Sequence, residues 1–113
     1  MGTFAAGQVV TLNFPFSDLT RTKLRPVLLL ANAGRADWIV CQITSNPHAD
    51  PLAIPLAGAD FVHGGLDRLS FICPGKLFTA NESTFAAYRG DVVPTIHQRV
   101  ADSVIAIVRG SRS

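Results

Sequence analysis

The fold is decided between residues 25 and 46, where the chain reads RPVLLLANAGRADWIVCQITSN. An unbroken apolar run begins just after Arg25, and a second apolar run leads to Thr44 and Ser45. The polar residues between the runs predict a turn over 32–37, so the two runs predict a hairpin of buried strands. One strand of this hairpin therefore begins behind an arginine, and the other ends at two hydroxyl side chains.

Short apolar segments on either side of the hairpin also predict strands, because Gly, Pro and Asp residues separate them. The predicted strands are 9–14, 26–31, 38–44, 52–56, 69–72 and 76–79. Pro55 should place its strand at an edge or a bulge, and Pro74 with Gly75 should break the last two strands apart. Residues 57–67 are predicted to be a polar, Gly-rich connection.

The last third of the chain changes its period. Apolar residues from Ile96 to Val108 recur at helical spacing, with Thr95 as the expected N-cap and Gly110 as the expected stop. A second, short helix is predicted within 81–89, capped by its first residue. Short strands followed by one helix predict a mainly β fold, a small and strongly bent half-open barrel with a C-terminal helix packed against it.

Size and composition limit the functional classes. A chain of 113 residues is expected to form one domain, 1–113, and 48% hydrophobic residues suffice for a core. The net charge of +2 permits a nucleic-acid partner without requiring one. No apolar stretch is long enough for a membrane span and no signal peptide is evident, so we expect a cytoplasmic protein. Cys41 and Cys73 are expected to be buried free thiols, with a disulfide or a reactive thiol as the alternatives.

The arginine and the hydroxyls carry the functional argument. The guanidinium of Arg25 is a planar, permanently charged fork of donors that suits phosphate, and the hydroxyls of Thr44 and Ser45 would complete a phosphoryl pocket. Two alternatives stay open. In the first, Arg25 only solvates the preceding loop. In the second, the hydroxyls of Thr44 and Ser45 only bond to their own backbone.

The order of several motifs resembles the MazF/PemK growth-inhibitory toxins of bacterial toxin–antitoxin pairs. The motifs are GQVV at 7–10, FPFSD at 14–18, KLRPVL at 23–28, QITS at 42–45, LD at 66–67, PGKLFT at 74–79 and GDV at 90–92. The resemblance covers nearly the whole chain, and the arginine-proline strand together with the Thr-Ser pair is its most specific part.

The resemblance implies an SH3-like barrel with a C-terminal helix and a homodimer. It implies a metal-independent endoribonuclease without cofactor, which cuts single-stranded RNA, with messenger RNA the expected class, at short sequence motifs. The 2′-OH of the substrate would attack the neighbouring phosphate, and Arg25 and Thr44 would be the catalytic residues. A cognate antitoxin would cover the RNA groove with a disordered tail, and the toxin–antitoxin complex would bind DNA.

Proton transfer is where the chain departs from the best-known members. Those members carry an Arg and an Asp near the strand that corresponds to 71–73, and a histidine in the first loop, whereas this chain has apolar or thiol residues and no such histidine. The base therefore stays unassigned. The candidates are Asp18, His48, His63 and Lys76, while His97 is expected to be solvated on the polar face of the last helix.

RNA binding requires a groove with cations and flat surfaces. The residues predicted to contact RNA are Phe16, Asp18, Arg21, Lys23, Ser45, His63, Arg68 and Lys76. Phe14 and Phe61 are further candidates for base stacking.

Two other functions remain open from the sequence. The first is a non-enzymatic toxin of the same fold that inhibits DNA gyrase through its C-terminal helix, and the second is a silenced member that binds RNA or a partner without cutting. The arginine-proline strand and the Thr-Ser pair favour RNA cleavage, whereas the missing acid–base pair keeps the silenced reading open.

Overall fold

The computed structural model describes residues 4–15 and 22–110, except for the side chains of Pro15 and Thr22. In this part of the chain the strands are β1 (Gln8–Pro15), β2 (Thr22–Gly34), β3 (Asp37–Thr44), β4 (Ile54–Leu56), β5 (Phe61–Gly64), β6 (Ser70–Asn81) and β7 (Phe85–Val92). The helix α1 (Pro94–Arg109) follows them, and two 3₁₀ turns, Gly58–Asp60 and Glu82–Thr84, precede β5 and β7.

The strands form one curled sheet in the order β4-β6-β3-β2-β1-β7-β5. Each neighbouring pair in this order is antiparallel. The half-barrel with a C-terminal helix confirms the predicted fold class. Because β4 lies at the edge of the sheet, Pro55 removes no hydrogen bond from a central ladder, as its position predicted.

The central strands are buried on both faces. Val9, Leu28 and Ile43 pack with Ile96 and Val100 of α1 in a first cluster. The alternate residues of the same strands face a second cluster on the other side of the sheet, which contains Val10, Val27, Leu29, Trp38 and Val40. Since side chains alternate along a strand, a stretch covered on both faces has to be apolar, as residues 27–30 of β2 are.

The hairpin between β2 and β3 is confirmed, but its turn is shorter than the predicted 32–37. Only Arg35 and Ala36 lie between the strands, with φ of 55° and 67°. Two central residues with positive φ are typical of the hairpin turn whose twist matches that of the strands. The strands therefore continue directly to the two turn residues, with β2 ending at Gly34 and β3 beginning at Asp37.

The predicted break at Pro74 and Gly75 was wrong. β6 runs without interruption from Ser70 to Asn81, and its pairing with β3 steps over 74–76 between two consecutive β3 residues. This bulge takes the proline out of the ladder, so the strand continues beyond it.

The predicted helix within 81–89 was also wrong. Only Glu82–Thr84 form a 3₁₀ turn, although Asn81 does cap it, since its side chain accepts a hydrogen bond of 3.0 Å from the Ser83 backbone. The residues after the turn pair with β1 and β5 as β7. The predicted connection at 57–67 likewise contains β5, because the tertiary pairing with β7 overrides its local composition.

The C-terminal helix is confirmed, but its N-cap and the environment of His97 differ from the prediction. Its N-cap is Val93 and not Thr95, and Gly110 ends it in a left-handed conformation with φ of 69°. His97 was expected to be solvated, but its Nε2 lies 2.9 Å from the carbonyl of Leu30, so it ties α1 to β2.

Cys41 and Cys73 are both free and buried. Burial, together with the neighbouring Cys73, raises the pKa of the Cys41 thiol to about 12, so this thiol stays protonated at neutral pH. Within the described ranges, no helix is long and apolar enough to cross a membrane.

Candidate active site

A cleft of about 390 Å³ opens beside the start of β2 and the end of β3. Residues of β1, β7 and the segment before β6 complete its walls. The polar side chains in its lining are Thr11, Lys23, Arg25, Thr44, Ser45, Asp67, Arg68, Ser70 and Arg89. The two elements of the sequence that predicted a site, the arginine before the proline and the Thr-Ser pair, thus line the same cleft.

The β2–β3 hairpin brings Arg25 and Thr44 to the same cleft. Its antiparallel ladder ends at the pair of Val27 and Gln42. Arg25 precedes this pair on β2 by two residues, and Thr44 follows it on β3 by two residues. Both residues line the cleft at this end of the hairpin.

The Thr44 hydroxyl closes a local turn with Asn46. Its Oγ1 accepts a hydrogen bond of 3.1 Å from the Asn46 backbone N–H and donates one of 3.2 Å to the Asn46 carbonyl. This is the backbone-bonding alternative that the sequence left open. The N–H fixes the oxygen at the end of β3, whereas the donated bond is long and has to be released before the hydroxyl can donate to a phosphoryl oxygen.

The cleft is strongly cationic. Its lining contains four positive side chains, Lys23, Arg25, Arg68 and Arg89, and one carboxylate, that of Asp67. Asp67 Oδ1 lies 3.7 Å from Arg89 Nη2, and 93% of the Asp67 side chain is exposed. An excess of fixed positive charge in a concave site attracts polyanions, and guanidinium groups suit phosphate in particular.

The predicted RNA-binding residues divide into three groups. Lys23, Ser45 and Arg68 line the cleft. His63 on β5 and Lys76 in the β6 bulge are exposed and are not among the lining residues. Phe16, Asp18 and Arg21 lie outside the described residues.

Two other sequence candidates are also placed away from the cleft. His48 is exposed in the loop between β3 and β4 and does not line it. Phe14 packs edge-to-face on Phe78, with ring centroids 5.3 Å apart, so its ring belongs to the second hydrophobic cluster. In the described ranges, no three His, Cys, Asp or Glu side chains are grouped as metal ligands.

Sequence reasoning missed Arg89 and Asp67. Arg89 was assigned to a short helix, and only the pairing of β7 with β1 brings it to the cleft. Asp67 was treated as part of a family motif and not as a site residue. Its position beside Arg68 in a Gly-flanked loop was the signal that could have identified it.

No protein-family model matches the sequence, and no curated protein is significantly similar to it. Solved structures are similar in fold. The MazF chain of a MazE-MazF crystal structure from Deinococcus radiodurans has a TM-score of 0.74 at 19% identity, with 99% of this chain and 100% of that chain covered.

Two mycobacterial structures are also similar. An endoribonuclease in complex with its cognate antitoxin has a TM-score of 0.71 at 16% identity, covering 96% of each chain. The Mycobacterium tuberculosis toxin MazF-mt6 has a TM-score of 0.68 at 16% identity, covering 94% of this chain and 99% of that chain. This chain therefore has the fold of MazF toxins over nearly its whole length.

Proposed function

We propose that this protein is the toxin of a type II toxin–antitoxin pair and acts as a metal-independent, sequence-specific endoribonuclease on single-stranded RNA. The observation that carries the proposal is a single cleft that is lined by Arg25, Thr44 and Ser45 and has a clear excess of positive charge. The fold supports it, because solved proteins with the same fold are named endoribonucleases.

In the proposed reaction, the 2′-OH of one nucleotide attacks the adjacent phosphate and the 5′-oxygen leaves. Negative charge builds up on the non-bridging oxygens in the transition state. Arg25 stabilises this charge through two charge-assisted hydrogen bonds, and Thr44 donates a third after releasing the Asn46 carbonyl. Ser45 lies at the same end of β3 and supplies a further donor.

Two further cations hold the flanking phosphates. Lys23 on β2 and Arg89 on β7 border the cleft on separate strands, so they can contact successive phosphates of an extended strand. All three histidines of the chain lie outside the cleft lining, so the proposal uses no histidine for proton transfer.

The proposed partners follow from the same comparison. The Deinococcus structure contains MazE with MazF, and the mycobacterial endoribonuclease is bound to its cognate antitoxin. For this chain we propose a homodimer in the cytoplasm, inhibited by an antitoxin of its own that covers the cationic cleft. Messenger RNA is the proposed substrate class.

The direct test is cleavage of a long single-stranded RNA in EDTA by the wild type, Arg25→Ala and the control Arg99→Ala. Arg99 is an exposed arginine on α1, so the control removes a guanidinium of the same kind away from the cleft. We expect discrete cuts by the wild type and the control, and a rate about 100 to 1,000 times lower for Arg25→Ala at an unchanged melting temperature.

The ends of the fragments test the chemistry. Attack by the 2′-OH leaves a 2′,3′-cyclic phosphate on one fragment and a 5′-OH on the other. Direct attack by water on the same phosphate leaves no cyclic phosphate. Absence of cleavage by the folded wild type across several long RNAs would contradict the proposed activity. Cleavage that requires added divalent metal would contradict its metal independence.

A further inference from the structure

A second hollow of about 220 Å³ lies next to the cleft and shares part of its wall. Leu66, Asp67 and Arg68 line both spaces. A strand of RNA whose phosphate lies in the cleft therefore has an opening beside it into which a neighbouring group can turn. Neither the fold nor the proposed chemistry uses this second hollow.

The hollow combines apolar side chains with polar groups, as a site for a flat heterocyclic ring requires. Leu56, Phe61, Leu66 and Leu69 line it, and Phe61 is only partly buried. Small-molecule pockets usually have about 300–1,000 Å³, so a hollow of this size fits a single ring system and not a larger ligand. Unstacked RNA bases bind to proteins on aromatic and apolar side chains of this kind.

Asp67 and Arg68 form the polar rim of the hollow, and backbone hydrogen bonds hold this rim in place. Before it, the Gly65 N–H donates a hydrogen bond of 3.0 Å to the carbonyl of Arg89. After it, the Ser70 hydroxyl donates one of 3.1 Å to the carbonyl of Arg68. Leu66 packs against the first hydrophobic cluster. These anchors fix the segment and leave Asp67 and Arg68 at the opening.

Asp67 keeps its capacity to accept hydrogen bonds. Its contact with Arg89, at 3.7 Å, is an ion pair that is too long for a hydrogen bond. A carboxylate accepts only, and its two oxygens can receive two parallel donors. Arg68, the next residue, supplies donors and no acceptor.

We propose that this hollow binds one nucleobase beside the scissile phosphate and that this base is guanine. On its Watson–Crick edge guanine presents two adjacent donors, N1–H and the N2 amino group, which match the two oxygens of Asp67. Its O6 and N7 atoms are acceptors that match the guanidinium of Arg68. Adenine, cytosine and uracil each offer one donor on that edge, so they leave one carboxylate oxygen unpaired.

This inference rests on the proposed RNA cleavage, since it names a base in the cleavage motif. Contacts to phosphate position the strand, whereas contacts to base edges specify its sequence. Arg25 should therefore set the rate of cutting, and Asp67 should set the site of cutting.

The test begins with the cleavage motif of the wild type, read by sequencing the 5′ ends of fragments from a long RNA. We expect guanine at one fixed position beside the cut. Short RNA substrates then carry guanine, inosine or adenine at that position. Inosine lacks the N2 amino group, so the wild type should cut it more slowly than guanine.

The variant Asp67→Asn and the control Asp102→Asn, which changes an exposed carboxylate on α1, are compared on the same substrates. We expect Asp67→Asn to lower kcat/KM for the guanine substrate by about 5- to 150-fold, and to lose the difference between guanine and inosine. The control should match the wild type. A motif without guanine beside the cut would overturn the inference, as would an unchanged guanine preference in Asp67→Asn.

Binding separates this inference from the proposed activity. Fluorescence anisotropy measures the affinity of the wild type and Asp67→Asn for labelled single-stranded RNAs that differ only in one guanine or adenine. If the wild type cuts no RNA but prefers the guanine strand through Asp67, the proposed activity fails and the guanine site stands. If affinity is equal for both strands, the guanine site is overturned.

Discussion

Thr44 shows at the scale of one residue how a structural and a functional role meet. Its hydroxyl closes the turn with Asn46, and Thr44 lines the same cleft as Arg25. The Asn46 N–H fixes the hydroxyl oxygen before substrate binds, so only the bond to the Asn46 carbonyl has to be released. Preorganisation of this kind lowers the cost of placing a donor at the position where charge develops.

We expect Thr44→Ala to slow RNA cleavage by about 100-fold or more, because it removes a donor to the phosphoryl oxygens. Thr44→Ser keeps the hydroxyl and should retain most of the activity. The measurement is single-turnover cleavage of one RNA substrate, with melting temperature as the control for folding. Equal rates for Thr44→Ala and the wild type would show that the hydroxyl serves only the turn.

At the scale of elements, the contact between β5 and β7 depends on two glycines. Gly64 and Gly90 are directly paired, and Gly64 has a φ of 69°. A Cβ atom at Gly90 would collide with the carbonyl of His63, and one at Gly64 with the carbonyl of Arg89. This close approach supports the segment before β6 that carries Asp67, because Gly65 bonds to the Arg89 carbonyl.

We expect Gly90→Ala to lower the free energy of unfolding by about 1–3 kcal/mol, the usual cost of overpacking a rigid contact. Gly58→Ala is the matched control, since a Cβ there would meet no atom within 4 Å. Urea denaturation followed by the fluorescence of Trp38, the one tryptophan of the chain, measures both variants. A Gly90→Ala protein as stable as the control would contradict the tight contact.

At the scale of the whole molecule, curling of the sheet gathers charge that the sequence scatters. Lys23 and Arg25 come from β2, Arg68 from the segment before β6, and Arg89 from β7. The net charge of +2 is small, yet four cations and one carboxylate line a single cleft. Local concentration of charge, and not the total, attracts a polyanion.

We expect Arg89→Ala to weaken RNA binding uniformly across sequences, because it removes a contact to phosphate and not to a base. The slope of log affinity against log salt concentration should fall in magnitude by about 0.7, the value for one phosphate contact on a single strand. Titrations at several salt concentrations measure it. Arg109→Ala, at the exposed end of α1, should leave the slope unchanged. An unchanged slope in Arg89→Ala would exclude Arg89 from the binding surface.

Elements with a local signal could be predicted from the order of the amino acids. Two apolar runs around a short polar stretch fixed the β2–β3 hairpin, and helical spacing followed by Gly110 fixed the end of α1. The same hairpin carries Arg25 and Thr44, so the central part of the candidate site was predictable from the order of the strands.

Features that depend on pairing between distant segments could not be predicted from local patterns. The residues of β7 have no strong local preference, and their hydrogen bonds to β1 and β5 make them a strand instead of a helix. β6 passes its proline because a bulge against β3 absorbs it. The pairing of β7 with β1 brings Arg89 to the cleft, and the hydrogen bond from Gly65 to the Arg89 carbonyl anchors the segment that carries Asp67. Local patterns record the burial and periodicity of neighbouring residues, whereas a cleft is formed by residues that only long-range hydrogen bonding and packing bring together.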